Sequence, residues 1–231
     1  MSGLAIGALV YERLDQLDFT GPFEVLSRAP GATVHVMSKG GAPVTDMKGL
    51  VLTPSRALAD APELDVLVVP GGWGQQALME DEDVLGFVRA HAGRGGRVLS
   101  VCSGALVCGA AGILVGRRAT THWASLHLLP YFGAIPVKER VVVDGNLVST
   151  AGVTAGIDGA LRLVAEIAGE RAAQEIQLYM EYAPEPPVAG GTPDSSPPDV
   201  VAALRSAARE IGEARLATAR AASARLGVGA P

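Results

Sequence analysis

Cysteine is nearly absent: Cys102 and Cys108 are the only two in 231 residues. On one helix their six-residue spacing would rise about 9 Å, beyond the roughly 7 Å between Cα atoms that a disulfide tolerates. Histidine is scarce too, and none of His35, His91, His122 and His127 forms a close ligand pair with a cysteine. No metal is therefore expected. Positive charge is not gathered anywhere. The formal net charge is -5, and no basic block invites nucleic acid. Apolar runs stay short of the roughly 18 residues that a membrane span needs. The stretch MSGLAIGALVYERLDQ has an apolar run but no basic segment ahead of it and no small-residue cleavage site. It reads as a first strand rather than a signal peptide. Two cysteines and no signal favour a reducing cytoplasm. No internal repeat is evident.

What the chain does have is enough apolar material for a sizeable core, at 48% hydrophobic residues. Strand and helix signals alternate. Leu4–Val10, Thr33–Ser38, Leu50–Thr53, Asp65–Val69 and Arg97–Val101 read as strands. Thr20-Gly21-Pro22 reads as a helix start, with Thr20 as cap and Pro22 in the first turn. Further helices are expected over Asp81–Ala92, after Cys102, over Ala124–Phe132, over Thr154–Ile167 and over Arg171–Tyr182. Asp144-Gly145, between Val141–Val143 and Asn146–Thr150, is a hairpin signal. Such alternation predicts an α/β fold: a mostly parallel sheet sandwiched by helices, in three layers like a flavodoxin. The expected organisation is an α/β domain over 1–182, then an extension over 183–231. That extension begins with a Pro-rich arm, six prolines between Ala183 and Pro198. It continues as a helix over Asp199–Leu226, with Val200, Val201, Leu204, Ala208 and Ile211 in one apolar stripe. The stripe must be covered, by its own domain or by a dimer partner.

Chemistry gathers at Ser100-Val101-Cys102-Ser103-Gly104. A strand ends there, a helix begins, and small residues sit two before and two after the cysteine. A nucleophile elbow needs that pattern, because its sharp turn leaves no room for bulky neighbours. A thiolate at a helix N-terminus is also stabilised. Cys108, inside the following helix, reads as core. Pro70-Gly71-Gly72 follows the neighbouring strand, and its N–H groups, with that of Ser103, can face an anion. Asp18 lies after the first strand between apolar residues. It is a loop acid or cap, or a buried carboxyl able to hold a proton for the sulfur. His122 in Thr121-His122-Trp123 is a base or a satisfied structural histidine, so a Cys–His hydrolase stays open. Trp73 either lines the pocket or packs.

The segments LDFTGPFEVL, VVPGG, SVCSGALVCGAAGIL, GRRATTHW, VVVDGNLVSTAG, TAGIDGAL and MEYAPEPP resemble the ThiJ/PfpI superfamily, with its class I glutamine amidotransferase-like fold. The run GRRATTHWASLHLLPYFGAIPVKERVVVDGN and the tail EYAPEPPVAGGTPD resemble its isonitrile hydratase branch. Where that branch has threonine after the cysteine, this chain has Ser103.

The resemblance implies that Cys102 is the nucleophile and Asp18 its carboxyl partner, with Gly72 and Ser103 as backbone donors and His122 ranking below Asp18. It implies a small-molecule isonitrile substrate, a covalent thioimidate, a formamide product, no cofactor and a homodimer. The alternatives are a glyoxalase-like activity on small aldehydes and a redox or stress sensor. The sensor half of a helix-turn-helix regulator is a weaker match, because only about 33 residues follow Pro198.

Overall fold

The computed structural model describes residues 3–229. A seven-stranded sheet runs through it: β1 (Leu4–Leu9), β2 (Ala32–Ser38), β3 (Arg56–Ala57), β4 (Val66–Val69), β5 (Arg97–Val101), β6 (Val141–Asp144) and β7 (Leu147–Thr150). Their spatial order is β6-β7-β5-β4-β1-β2-β3. Every pairing is parallel except that of β6 with β7, the hairpin that closes on Asp144 and Gly145. The central strands carry apolar side chains on both faces. All four residues of β4 are buried, because helices cover the sheet on each side.

The helices are α1 (Gln16–Leu26), α2 (Gln75–Leu78), α3 (Glu82–Gly93), α4 (Gly104–Ala110), α5 (Ala155–Ala168), α6 (Glu170–Tyr179), α7 (Pro198–Ala207) and α8 (Arg209–Leu226). In one group α1 packs on α5 and α5 on α6; in the other α3 packs on α4, and α4 on a 3₁₀ segment, Trp123–Phe132. The sheet flanked by helices and the C-terminal helices match the expectation from strand–helix alternation. Asp81 caps α3 by accepting from the N–H groups of Asp83 and Val84.

Two expectations need correction. The helix expected to open at Thr20 opens at Gln16, capped by Asp15, whose side chain accepts from Leu17 N–H. Thr20 and Pro22 are therefore interior, and Pro22 leaves the Asp18 carbonyl without a helical N–H donor. The shift matters for Asp18. It is in the first helical turn and fully buried, so it is not a loop acid. The second correction concerns the C-terminal helix, which is two helices divided at Ala208. The divided stripe is not one surface. Val200 and Leu204 on α7 are exposed, while α8 packs on the 3₁₀ segment and on α2 and buries Arg215, Thr218, Ala219 and Ala222. Residues 183–197 form no helix or strand and are mostly exposed, as five prolines in that stretch require.

Candidate active site

Three adjacent strands, β5, β4 and β1, deliver their carboxyl ends to one place, where open α/β sheets bind ligands. β5 delivers Cys102. Its φ of 55° lies in the left-handed region, so the chain turns sharply between strand and helix. The turn is held on both sides. Cys102 N–H donates to Ala151 O at 2.9 Å, and Thr121 Oγ1 donates to Cys102 O at 2.6 Å. Gly104 is needed for space: a Cβ there would lie 2.0 Å from the Val69 carbonyl oxygen. Gly104→Ala should therefore yield little folded protein. A soluble variant with an unchanged melting curve would refute this account of the turn.

β4 delivers Pro70-Gly71-Gly72. The Tyr11 hydroxyl, from the end of β1, reaches the carbonyls of Pro70 and Gly71 at 2.7 and 2.8 Å and fixes that turn. A Cβ on Gly71 would stand 2.7 Å from Asp18 Oδ2 and 2.6 Å from Ser103 N. The glycine is thus the gap through which α1 approaches the elbow. Gly71 N–H donates to Asp18 Oδ2 at 2.8 Å. That donor faces the carboxyl instead of standing free for an oxyanion. Gly72 N–H meets Ser103 Oγ at 3.2 Å.

Asp18 Oδ1 is buried without a well-formed hydrogen bond. Burial, reinforced by the charge of Asp15, pushes the carboxyl up to about 7 against the pull of Gly71 N–H, the Cys102 thiol and Arg215. Cys102 is pushed well above the ordinary thiol range by burial and by the Asp18 charge. The N–H groups of Val153 and Ser103 and the charge of Arg215 pull it back. Asp18 raises Cys102 while the Cys102 thiol, by its hydrogen bond, lowers Asp18, so the two buried acids titrate as a pair. One proton leaves near pH 7 and the second is held to far higher pH. In between, sulfur and carboxyl share one proton and one negative charge.

The neighbouring residues differ in role. Val153 is held at a φ of 29°, a strained conformation for a β-branched residue, where its N–H stabilises the sulfur. His122 caps the 3₁₀ segment, with Nδ1 accepting from Ala124 N–H at 3.3 Å. Burial and the Arg215 charge hold it down to about 4, so it is neutral at physiological pH. Trp73 is half exposed with the Arg13 guanidinium over its ring. Cys108 is a free thiol that burial in α4 pushes up to about 12. Among the described residues no three His, Cys, Asp or Glu side chains gather as a metal would require. Nor is any described helix long and apolar enough to cross a membrane.

Sequence reasoning missed Tyr11, Val153 and Arg215. The buried face of α8 does leave a trace, Arg215, Ala219 and Ala222 at helical spacing. A charged residue in that stripe reads as its rim, and only the fold turns it inward.

A mostly parallel sheet with a cysteine at a strand-to-helix elbow, faced by a carboxyl from the helix that follows the first strand, defines a class of α/β protein. The chain belongs to the DJ-1/PfpI family, whose profile matches residues 6–166. It is 52% identical to the isonitrile hydratase of Pseudomonas putida over 205 residues, 89% of this chain and 90% of that one. The crystal structure of a ThiJ/PfpI family protein from Pseudomonas syringae superimposes with a TM-score of 0.91 at 38% identity, covering 95% of this chain and 91% of the other. Drosophila melanogaster DJ-1beta superimposes with a TM-score of 0.71 at 25% identity, covering 79% of this chain and all of its own.

Proposed function

We propose that the protein is an isonitrile hydratase, converting R–N≡C and water into the formamide R–NH–CHO. The observation that carries this is the 52% identity to the Pseudomonas putida isonitrile hydratase across nearly the whole length of both chains. The buried pairing of Cys102 with Asp18 supplies chemistry suited to that reaction.

The terminal carbon of an isonitrile accepts a nucleophile and a proton on the same atom. Cys102 Sγ attacks that carbon while Asp18 gives its proton to it. The product is the thioimidate R–N=CH–S, and Asp18 is left as carboxylate. Asp18 then takes a proton from water as its oxygen adds to the carbon, and passes it to nitrogen. The adduct R–NH–CH(OH)–S collapses: the C–S bond breaks, the hydroxyl proton returns to Asp18, and the sulfur leaves as thiolate. Atoms balance, and the site regains its single shared charge. One group acts twice as acid and twice as base, which suits a carboxyl held near neutrality. The N–H groups of Val153 and Ser103 favour the departing thiolate. His122 is assigned no step: its ring is neutral, its Nδ1 accepts from Ala124 N–H, and the Cys102–Asp18 pair already accounts for every proton moved.

Purified protein incubated with a panel of small isonitriles should give N-substituted formamides and a Cys102 adduct by mass spectrometry. Consumption of methylglyoxal alone would replace this reading with the glyoxalase-like one. The pair's first proton sets the pH dependence. Below about pH 7 the pair takes up a second proton and loses its shared negative charge, so kcat/KM should fall toward tenfold per pH unit. A flat profile between pH 5 and 8 would show that this pair is not the reacting one. A homodimer is part of the same proposal; sedimentation equilibrium at a monomer mass would remove it.

A further inference from the structure

Residues 167–231 lie outside the family match, yet one of them reaches the elbow. Arg215 on α8 is 8% exposed. Its Nη2 donates to the Gly72 carbonyl at 2.7 Å and to Ser103 Oγ at 3.2 Å, and its Nη1 to Ser125 Oγ at 3.4 Å. Nε is buried with no partner. The turn that carries it is fastened to α2, where Gln76 Nε2 donates to the Ala214 carbonyl and to Thr218 Oγ1.

We propose that Arg215 is a positioning residue of the active site, clamping the Gly72 turn to the Ser103 end of the elbow and supplying the positive charge that a buried sulfur anion needs. A guanidinium taken out of water costs several kcal/mol unless its charge is answered. The partners of Arg215 are a carbonyl and two hydroxyls, all neutral. The answering charge is the one shared by Cys102 and Asp18. The coupling is mutual: Arg215 pulls both acids down, and Cys102 is the first of the groups that favour its own charged form against burial. The other titratable groups facing the pair do not supply that cation. Tyr11 from the end of β1 is pushed well above its ordinary range and stays neutral. Asp15, with Asp46 and Lys48 beside it, adds negative charge from the start of α1. His122 is held neutral. The geometric part is separate. Gly72 N–H and Nη2 of Arg215 both donate to Ser103 Oγ, so the guanidinium orients a hydroxyl directly beside the cysteine. The C-terminal extension is thus part of the site.

The proposal rests on Cys102 being a reactive anion, and the alkylation arm of its test needs no isonitrile. The rate of iodoacetamide alkylation at Cys102 is measured against pH in a Cys108→Ala background, alongside melting temperature and kcat. Arg215→Met, of similar length and apolar, should raise the alkylation midpoint by at least about one pH unit and lower kcat at least tenfold, at a melting temperature close to the parent's. Arg215→Lys should keep the midpoint but lose kcat, because an ammonium brings charge without the fork. Arg215→Ala should regain both on addition of guanidinium ion. A folded Arg215→Met with the parent midpoint overturns the proposal, even if turnover falls. If the Met variant does not fold, an Arg215→Ala midpoint indifferent to guanidinium, or an Arg215→Lys variant with parental kcat, overturns it. Absence of any Cys102 alkylation in the parent would instead sink the nucleophile reading.

Discussion

Cys102→Ala should reduce formamide formation by about 10³-fold or more, roughly 4 kcal/mol of barrier, while the protein still folds. The sulfur forms the bond that divides the hydration into two steps, and nothing else at the elbow can replace it. Cys102→Ser tests the same point more severely. It keeps the size and the hydrogen-bonding capacity, but a serine hydroxyl beside a carboxyl held near pH 7 is not ionised to a useful extent. Neither change disturbs packing much. The backbone bonds from Cys102 N–H to Ala151 and from Thr121 to Cys102 O do not involve the side chain. The left-handed φ is carried equally by alanine and serine. Cys108→Ala is the control. That sulfur is fully buried among Leu106, Val107 and Ala111, so its loss costs about 1 kcal/mol of packing and leaves turnover near the parent value. Formamide production at equal rates in all three variants would remove the covalent mechanism.

How much of this was legible beforehand follows the range of the interactions involved. β4 and β5 were readable because parallel strands buried on both faces need largely apolar runs; VLVV is one, and RVLSV departs from it only at the exposed Arg97 and the small Ser100. The elbow was readable because its constraint is local: the Ser100 and Gly104 positions are small for the sake of Cys102 between them. Asp81 and Asp144-Gly145 also act within a few residues of themselves. α1 was misread for the opposite reason. Thr20-Gly21-Pro22 has the composition of a helix start, but Asp15 caps five residues earlier, and tertiary packing on α5 keeps Pro22 inside. The division at Ala208 has no glycine or proline to announce it, and no sequence signal accounts for it. Arg215 lies 143 residues from Gly72, and nothing near it in the chain says that it points inward. Cys102 and Asp18 could be named singly from the sequence. Their shared proton could not, because it depends on Gly71 being small enough to let α1 and the elbow meet.

Asp18→Asn should lower turnover about 10²–10⁴-fold and, at pH 8, raise the melting temperature. The first effect is direct: an amide can hold the carboxyl's position but has no proton to give to carbon and cannot take one from water. The second follows from linkage. The Asp18 carboxyl is raised from 3.8 to about 7 by folding, chiefly by burial. The folded state therefore binds a proton that the unfolded state has released, and stability falls as pH rises through that window. Below about 3.8 the carboxyl costs nothing. Above about 7 the full difference is lost, up to about 4 kcal/mol at 1.36 kcal/mol per pH unit. Asparagine is never charged, so it escapes this cost at every pH. Its Oδ1 still accepts from Gly71 N–H, where Asp18 accepts now at 2.8 Å. Its amide hydrogens face the sulfur instead of ordinary acceptors, which returns about 1–3 kcal/mol. The net gain at pH 8 is then about 2 kcal/mol, or about 4–8 °C in a chain of this size. The pH trend is the sharper test. Thermal denaturation of parent and variant at pH 8, 6 and 4.5 should show a gain that shrinks steadily with acidity. A variant less stable than the parent at pH 8, or a difference that does not change with pH, would mean that Asp18 is not a strained buried acid. Near-normal turnover would remove it from proton transfer. If both effects appear together, the site holds its carboxyl at a cost to the fold because the reaction needs a proton held there near neutrality.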